Sequence, residues 1–132
     1  MIVVDTSAVI AALAARPRIE ELTDRLGSDG DLHAPHLIDV EFLHALRRLV
    51  ASQNLTEDRA ADARSDFADL AIVRYAHYPL ADRMWELRGH VTVYDAAFVA
   101  LAEALDAPLI TCDGRLARAR GHQASVELFR VQ

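Results

Sequence analysis

Residues 1–10 have the sequence MIVVDTSAVI, in which three apolar residues, Ile2–Val4, lead directly into an acid, Asp5. A short, continuous apolar run rich in β-branched residues is typical of a strand that is buried on both faces of a sheet. We therefore predict a buried strand over residues 1–5 and a helix over residues 6–16. Thr6 or Ser7 is the predicted cap of this helix, because hydroxyl oxygens accept hydrogen bonds from the first amides of a helix.

The rest of the chain alternates short apolar runs with longer stretches of helical periodicity. Pro17 is predicted to open the second helix and Gly27 to close it. The further predicted strands are 31–35, 71–76, 107–113 and 126–131, and the predicted helices are 17–26, 36–53, 56–70, 79–89, 94–106 and 114–120. Such alternation predicts an α/β fold, a five-stranded and mostly parallel sheet flanked by helices on both faces.

Length and composition narrow the class of protein. A chain of 132 residues with 52% hydrophobic and 26% charged residues is expected to form one globular domain over residues 1–132. The net charge of −6 argues against a protein that binds nucleic acid only through a basic surface. It leaves room for a nuclease whose clustered acids hold metal. All 14 basic residues are arginine, which excludes a phosphate-loop NTPase and Schiff-base chemistry, since both need lysine.

Location is inferred from three features of the sequence. No apolar run reaches the roughly 18 residues that a membrane span needs, so we expect no membrane association. The N-terminus lacks the pattern of a signal peptide. The single cysteine, Cys112, cannot form an internal disulfide, which is typical of a reducing, cytoplasmic environment.

Two acids follow predicted strands at the end where α/β proteins bind ligands. Asp5 ends the first strand, and Asp113 follows the strand segment PLIT, residues 108–111. In open α/β sheets, ligands bind beyond the carboxyl ends of strands, at the point where the strand order reverses. If these two strands are neighbours, their ends lie about 5 Å apart.

Two further acids lie in apolar surroundings on predicted helices. Glu41 occurs in IDVEFLHAL and Asp95 in VYDAAFVAL. Asp95 has an alternative interpretation as a helix cap, since acids favour helix N-termini. Glu41 has an alternative interpretation as a solvated position beside the core face. Both alternatives stay open for each acid taken singly.

Taken together, the four acids point to a cation. Two like charges about 5 Å apart repel by about 3 kcal/mol at an effective dielectric constant near 20. A cluster of such groups must take up protons or hold cations. No histidine or cysteine has convincing ligand spacing beside them, and all-oxygen sites select Mg²⁺ or Mn²⁺. The hypothesis is a magnesium site that acts on a phosphodiester, where the metal activates a water.

Four segments resemble a known family in order and spacing. They are VVDTSA, HLIDVEFLHALRR, YDAAFVALAEALDAPLIT and TCDGRLARA, which together span most of the chain. This set is similar to PIN-domain proteins, and specifically to the VapC toxins of bacterial toxin–antitoxin pairs. The chain departs slightly from the family after Asp113, where Gly114 replaces the more usual polar or charged residue.

The resemblance implies a PIN-like fold and a metal-dependent endoribonuclease that cuts RNA and inhibits translation. It implies that Asp5, Glu41, Asp95 and Asp113 are the catalytic residues and the ligands of one or two Mg²⁺ or Mn²⁺ ions. It also implies a homodimer and a cognate VapB-like antitoxin, whose C-terminal segment places a basic side chain among the acids. Carboxylates are natural receptors for such a side chain.

Residues beside the acids have two interpretations each. Thr6 and Ser7 either orient Asp5 and contact the metal-bound water, or only cap the helix. Arg115 and Arg118 either contact RNA phosphates or are cations near the end of a short helix. Tyr94 either stacks on a base or has a packing role.

Two other function classes were weighed. A phosphoacceptor receiver domain also combines five parallel strands with acids and Mg²⁺, but it needs a lysine and paired acids after the first strand, where only Asp5 stands. A catalytically silent PIN scaffold that only binds a partner is the second alternative. Nothing in the sequence favours it, because all four acids are present.

Overall fold

The computed structural model describes residues 1–130, and its centre is a sheet of five parallel strands. The strand order is β3-β2-β1-β4-β5. The strands are β1 (Ile2–Val4), β2 (Leu32–Pro35), β3 (Ile72–Tyr75), β4 (Leu109–Thr111) and β5 (Val126–Leu128). The predicted parallel sheet is thereby confirmed. The predicted last strand extended to Val131, which lies outside the described residues.

In the described part of the chain, seven α-helices connect and cover the strands. They are α1 (Thr6–Leu13), α2 (Glu20–Asp29), α3 (Leu37–Ala51), α4 (Glu57–Asp69), α5 (Ala81–Glu86), α6 (Val93–Leu105) and α7 (Gly114–Arg118). The single helix predicted over residues 79–89 is instead α5 between two 3-10 turns, Tyr78–Leu80 and Leu87–Gly89. Pro79 suits the first of these turns, because proline has no amide to donate. Within residues 1–130, every helix is too short or too polar to cross a lipid bilayer.

Three predicted helix ends are wrong. Asp5, not Thr6 or Ser7, caps α1: its backbone is extended and its carboxylate accepts the Ala8 amide at 3.0 Å. The second helix starts at Glu20, after an uncapped entry, and not at Pro17. It continues through Gly27 and ends at Gly30, whose φ of 66° lies in the left-handed region that favours glycine.

The core explains why two segments are almost wholly apolar. All three residues of β1 are fully buried, and so is the run Ala96–Ala102 of α6, which packs on β1 and β2. On α3, Phe42 is fully buried and its ring stacks on Phe67 of α4, with 4.1 Å between ring centroids. Arg83 joins α5 to α6 through two hydrogen bonds to the Glu103 carboxylate, at 2.8 and 3.0 Å.

The strand order places the site. Strands β2 and β3 lie on one side of β1, and β4 and β5 lie on the other, so the order reverses between β1 and β4. These two strands are paired in parallel, with Val4 opposite Ile110, and the Asp5 amide bonds to the Ile110 carbonyl at 3.1 Å. The residues that follow β1 and β4 therefore meet at the same edge, as the sequence predicted for neighbouring strands.

Candidate active site

Asp5 is the buried centre of this edge. Its side chain follows β1 directly, and the residue is only 7% exposed. Burial raises the pKa of its carboxyl group from an ordinary 3.8 to about 6, and the negative charge of Asp95 adds to this rise. Burial and nearby negative charge destabilise the ionised form of such a carboxylate, so binding of a proton or a cation stabilises it.

Two hydroxyl groups hold the Asp5 carboxylate. The Ser7 hydroxyl donates to Oδ1 at 2.7 Å, and the Thr111 hydroxyl donates to Oδ2 at 2.6 Å. The Ala8 amide makes the third hydrogen bond, to Oδ1 at 3.0 Å. These bonds favour the ionised form and limit the effect of burial on the pKa of Asp5.

Asp95 lies in the first turn of α6 but does not cap it. The hydroxyl of Thr92 is the cap, since it accepts the Asp95 amide at 3.1 Å, so the capping interpretation of Asp95 is wrong. The half-buried Asp95 carboxyl has its pKa raised, first by burial and then by the negative charge of Asp113. Arg115 acts in the opposite direction and lowers it.

Asp113 lies two residues beyond β4 and caps α7. Its Oδ1 accepts the Arg115 amide at 2.9 Å, and the Arg115 Nε lies 3.8 Å from the same oxygen. A Cβ at Gly114 would lie 2.9 Å from a guanidinium nitrogen of Arg118, so the glycine allows that side chain to lie against the backbone. The departure from the family pattern at this position thus lets Arg118 lie against the residue that follows Asp113.

Glu41 is connected to the carboxyl end of β1 by a hydrogen bond from Thr6. The Thr6 hydroxyl donates to the Glu41 Oε1 at 2.6 Å and so links α1 to α3 beside Asp5. Glu41 is half-buried. The structure therefore places Asp95 within electrostatic reach of both Asp5 and Asp113. A hydrogen bond connects Glu41 to Thr6, the neighbour of Asp5.

The donor set fits a hard divalent cation. Across residues 1–130, no three histidine, cysteine, aspartate or glutamate side chains come close enough to enclose an ion by themselves. Mg²⁺ does not require this, since it keeps several waters and is usually held by one or two carboxylates and a substrate phosphate. Asp5 and Asp95 supply carboxylate oxygens whose proton affinities are raised by burial and by neighbouring negative charge.

Two aromatic residues on α5 and α6 are exposed. Tyr94, next to Asp95, is 64% exposed, so it does not pack in the core. Trp85 is also exposed, and the Arg88 guanidinium lies over its ring at 4.2 Å from the centroid. A cation–π contact at an exposed site contributes about 0.5–1 kcal/mol.

The chain is similar to known proteins of one family. Residues 2–122 match the family model of the PIN domain. The chain is 44% identical over 129 residues to Ribonuclease VapC1 of Mycobacterium tuberculosis, with 97% of each chain covered. It belongs to the VapC family of PIN-domain ribonucleases. Ribonuclease VapC12 of the same organism is 40% identical over 128 residues, covering 97% of this chain and 98% of that one.

A solved structure shows the same fold. This VapC chain matches one in the crystal structure of VapBC2 from Rickettsia felis bound to a DNA fragment from their promoter, with a TM-score of 0.70. The identity is 14%, and the match covers 97% of this chain and 98% of the other. The VapC fold is therefore retained at low sequence identity.

Thr111 is a residue of this site that the sequence pattern did not predict. It is fully buried at the end of β4, between Ile110 and the half-buried Cys112. The signal was a polar residue at the end of an apolar strand, the same feature that drew attention to Asp5. A buried hydroxyl needs a partner, and here the partner is the Asp5 carboxylate.

Proposed function

We propose that this VapC protein is a toxin, a Mg²⁺-dependent endoribonuclease that hydrolyses RNA phosphodiester bonds and so inhibits translation. Two observations support the proposal: the buried Asp5 follows β1 where the strand order reverses, and Asp95 acts electrostatically on Asp5 while Asp113 acts on Asp95. Open α/β sheets bind ligands at such a reversal of the strand order. The names of the VapC relatives support the same reaction class.

Asp5 and Asp95 are the proposed primary ligands of Mg²⁺, or of Mn²⁺ in its place. Asp113 and Glu41 complete the proposed acidic site, Asp113 through its charge beside Asp95 and Glu41 through Thr6. A bound ion would activate a water and stabilise the charge that develops on the phosphate. The protein itself buries the Asp5 carboxylate from solvent and orients it with the Ser7 and Thr111 hydroxyls.

Arginines flank the acids on α7 and are the proposed contacts to RNA phosphates. Arg115 is exposed, with its side chain near Asp113. Arg118 is also exposed and lies against Gly114. These cations provide local attraction for an anionic backbone although the chain carries a net charge of −6.

A cognate VapB-like antitoxin and a second copy of the chain are the proposed protein partners. The similarity of the fold to a chain in the Rickettsia felis VapBC2 complex supports the antitoxin. Exposed apolar side chains support protein contacts more generally: Val40 and Leu43 lie one turn apart on α3, and Trp85 and Tyr94 lie on α5 and α6. Sedimentation of the purified chain would measure the proposed homodimer directly.

The test of the reaction is cleavage of total RNA by the purified chain, read by sequencing new 5′ ends. Wild type is expected to cut with Mg²⁺ or Mn²⁺ and to stop cutting when the ion is chelated. Asp5→Asn and Asp95→Asn are expected to lose cleavage by at least about a hundredfold, because each removes a proposed metal ligand.

Asp24→Asn is the matched control, since Asp24 is an exposed acid on α2. It is expected to cut as well as wild type. Wild-type chain that cuts no RNA with either ion would favour the silent scaffold and contradict the proposal. Undiminished cleavage by Asp5→Asn would contradict the metal assignment alone.

A further inference from the structure

The Thr111 hydroxyl contacts the acids that follow both strands of the site, β1 and β4. It donates to the Asp5 Oδ2 at 2.6 Å and accepts the Asp113 amide at 2.9 Å. It therefore connects the acid that follows β1 to the backbone of the acid that follows β4. Thr111 is 0% exposed, so no water replaces these contacts.

The Ser7 and Thr111 hydroxyls each direct their proton to the Asp5 carboxylate. Each hydroxyl group has one proton to donate. Ser7 uses its proton on Oδ1 and Thr111 uses its proton on Oδ2, so the 3.2 Å contact between the two hydroxyl oxygens carries no hydrogen bond while Asp5 is ionised. The proton positions are therefore determined by the carboxylate.

The two oxygens of Asp5 are not equivalent. Oδ1 receives two hydrogen bonds, from the Ser7 hydroxyl and the Ala8 amide. Among the described residues, Oδ2 receives one, from Thr111. Because a carboxylate oxygen has two lone pairs, this arrangement leaves acceptor capacity on Oδ2.

We propose that Thr111 is a positioning residue of the active site: its buried hydroxyl holds the Asp5 carboxylate and the Asp113 backbone in one arrangement that can receive a divalent ion. Packing alone does not explain a threonine here, since its strand neighbours Leu109 and Ile110 are apolar and fully buried. Valine has the same shape without the hydroxyl. The inference rests on the proposed metal-dependent function, to which it adds a specific residue.

The test compares Thr111→Val with Thr111→Ser in the full-length chain. The first removes the hydroxyl and keeps the branched shape, whereas the second keeps the hydroxyl. Mn²⁺ alone is the probe, and its binding is titrated by electron paramagnetic resonance without RNA. Loss of a group that orients a metal ligand typically weakens metal affinity by about 10- to 100-fold. We expect at least a tenfold loss for Thr111→Val and an affinity within about threefold of wild type for Thr111→Ser.

RNA cleavage provides the second measurement. In Thr111→Val at saturating Mn²⁺, kcat is expected to fall by at least about tenfold while KM for RNA stays nearly constant, because Thr111 is buried and cannot contact RNA. Thr23→Val is the matched control: Thr23 is exposed on α2, and among residues 1–130 its hydroxyl bonds only to the Ile19 carbonyl, at 3.3 Å. It should leave both measurements unchanged.

The outcomes separate this inference from the proposed function. Wild type that neither binds Mn²⁺ nor cuts RNA would overturn the proposed function itself. Wild type that binds Mn²⁺, together with a folded Thr111→Val that binds it equally tightly, would overturn only the positioning role. Equal losses in Thr111→Val and Thr111→Ser would also overturn it, since they would show that shape and not the hydroxyl matters.

A second variant keeps the test decisive if Thr111→Val does not fold. Ser7→Ala removes the other hydroxyl that holds Asp5, while Thr111 stays in place. Weakened Mn²⁺ binding by at least about tenfold would support hydroxyl positioning of Asp5. Wild-type affinity in Ser7→Ala would overturn it.

Discussion

Replacement of Asp5 by asparagine should stabilise the metal-free protein at neutral pH. The folded chain binds the Asp5 proton more tightly than the unfolded chain does, because burial raises the pKa of the carboxyl group to about 6 from an ordinary 3.8. Ionisation of Asp5 therefore favours unfolding. An amide has nearly the same shape and never ionises, so Asp5→Asn removes this cost.

The size of the effect follows from the pKa values. Each tenfold change in proton affinity corresponds to about 1.4 kcal/mol, so the rise of the Asp5 pKa from 3.8 to about 6 amounts to about 3 kcal/mol. The cost is absent below pH 4, where both states are protonated. It grows between pH 4 and 6 and is constant above that range.

The hydroxyl groups around Asp5 can adapt to the amide. The asparagine oxygen can still accept from Ser7 and Ala8, and its NH₂ group can donate to the Thr111 oxygen. Thr111 can then turn its own proton toward Ser7, whose oxygen lies 3.2 Å away. The substitution therefore leaves few polar groups unpaired, and the electrostatic gain should dominate.

Urea unfolding of the metal-free wild type and of Asp5→Asn at pH values from 3.5 to 7.5 measures the difference directly. The free energy of unfolding of Asp5→Asn should gain about 3 kcal/mol relative to wild type across this range, most of it between pH 4 and 6. The comparison cancels every other titrating group that the two chains share. If the difference in free energy of unfolding between the two chains does not change with pH, the reasoning is refuted. Such a result would show that ionisation of Asp5 does not destabilise the folded state.

The same pair tests whether a cation relieves that cost. Mn²⁺ at about 100 times its dissociation constant should stabilise wild type by about 2.7 kcal/mol at pH 7.5. Asp5→Asn should gain much less, because it lacks a proposed ligand. Equal stabilisation of both chains would show that the ion binds elsewhere.

Three further substitutions test the structure around the site. Phe42→Ala should lower the free energy of unfolding by about 3–5 kcal/mol in urea titrations, because Phe42 is fully buried against Phe67. Thr92→Ala and Thr56→Ala each remove an N-cap and should each cost about 1 kcal/mol. Only Thr92→Ala should slow RNA cleavage, since Thr92 caps the turn that carries Asp95; equal cleavage by the two variants would contradict this.

The framework of the fold could be predicted because short apolar runs and helical periodicity are local properties of the sequence. Ile2–Val4 is continuous and apolar because parallel strands are buried on both faces. The position of Asp5 after this run, and of Asp113 after β4, then followed from the rule that such sheets bind ligands at their carboxyl ends. The two acids were expected to lie close together only if their strands were neighbours. The pairing of β1 with β4 meets this condition.

Helix ends were less predictable because several residues in a row can serve the same local role. Asp5, Thr6 and Ser7 are all good cap residues, and only the extended backbone at Asp5 decides among them. Gly27 and Gly30 can both end a helix by composition. The positive φ at Gly30 distinguishes them, and that angle depends on how the chain enters β2.

The hydroxyl contacts could not be predicted, because they depend on distances between parts of the chain that are far apart in sequence. Thr111 and Asp5 are 106 positions apart, and Thr6 and Glu41 are 35 apart. Their pairing requires the strand order and the side-chain rotamers together. A buried acid can be recognised in a sequence as a break in an apolar pattern. The residues that hydrogen-bond to it can be recognised only in the folded structure. An acid that ends an apolar strand therefore calls for a search of the neighbouring strand ends for buried hydroxyls, and Thr111 is the residue that such a search finds here.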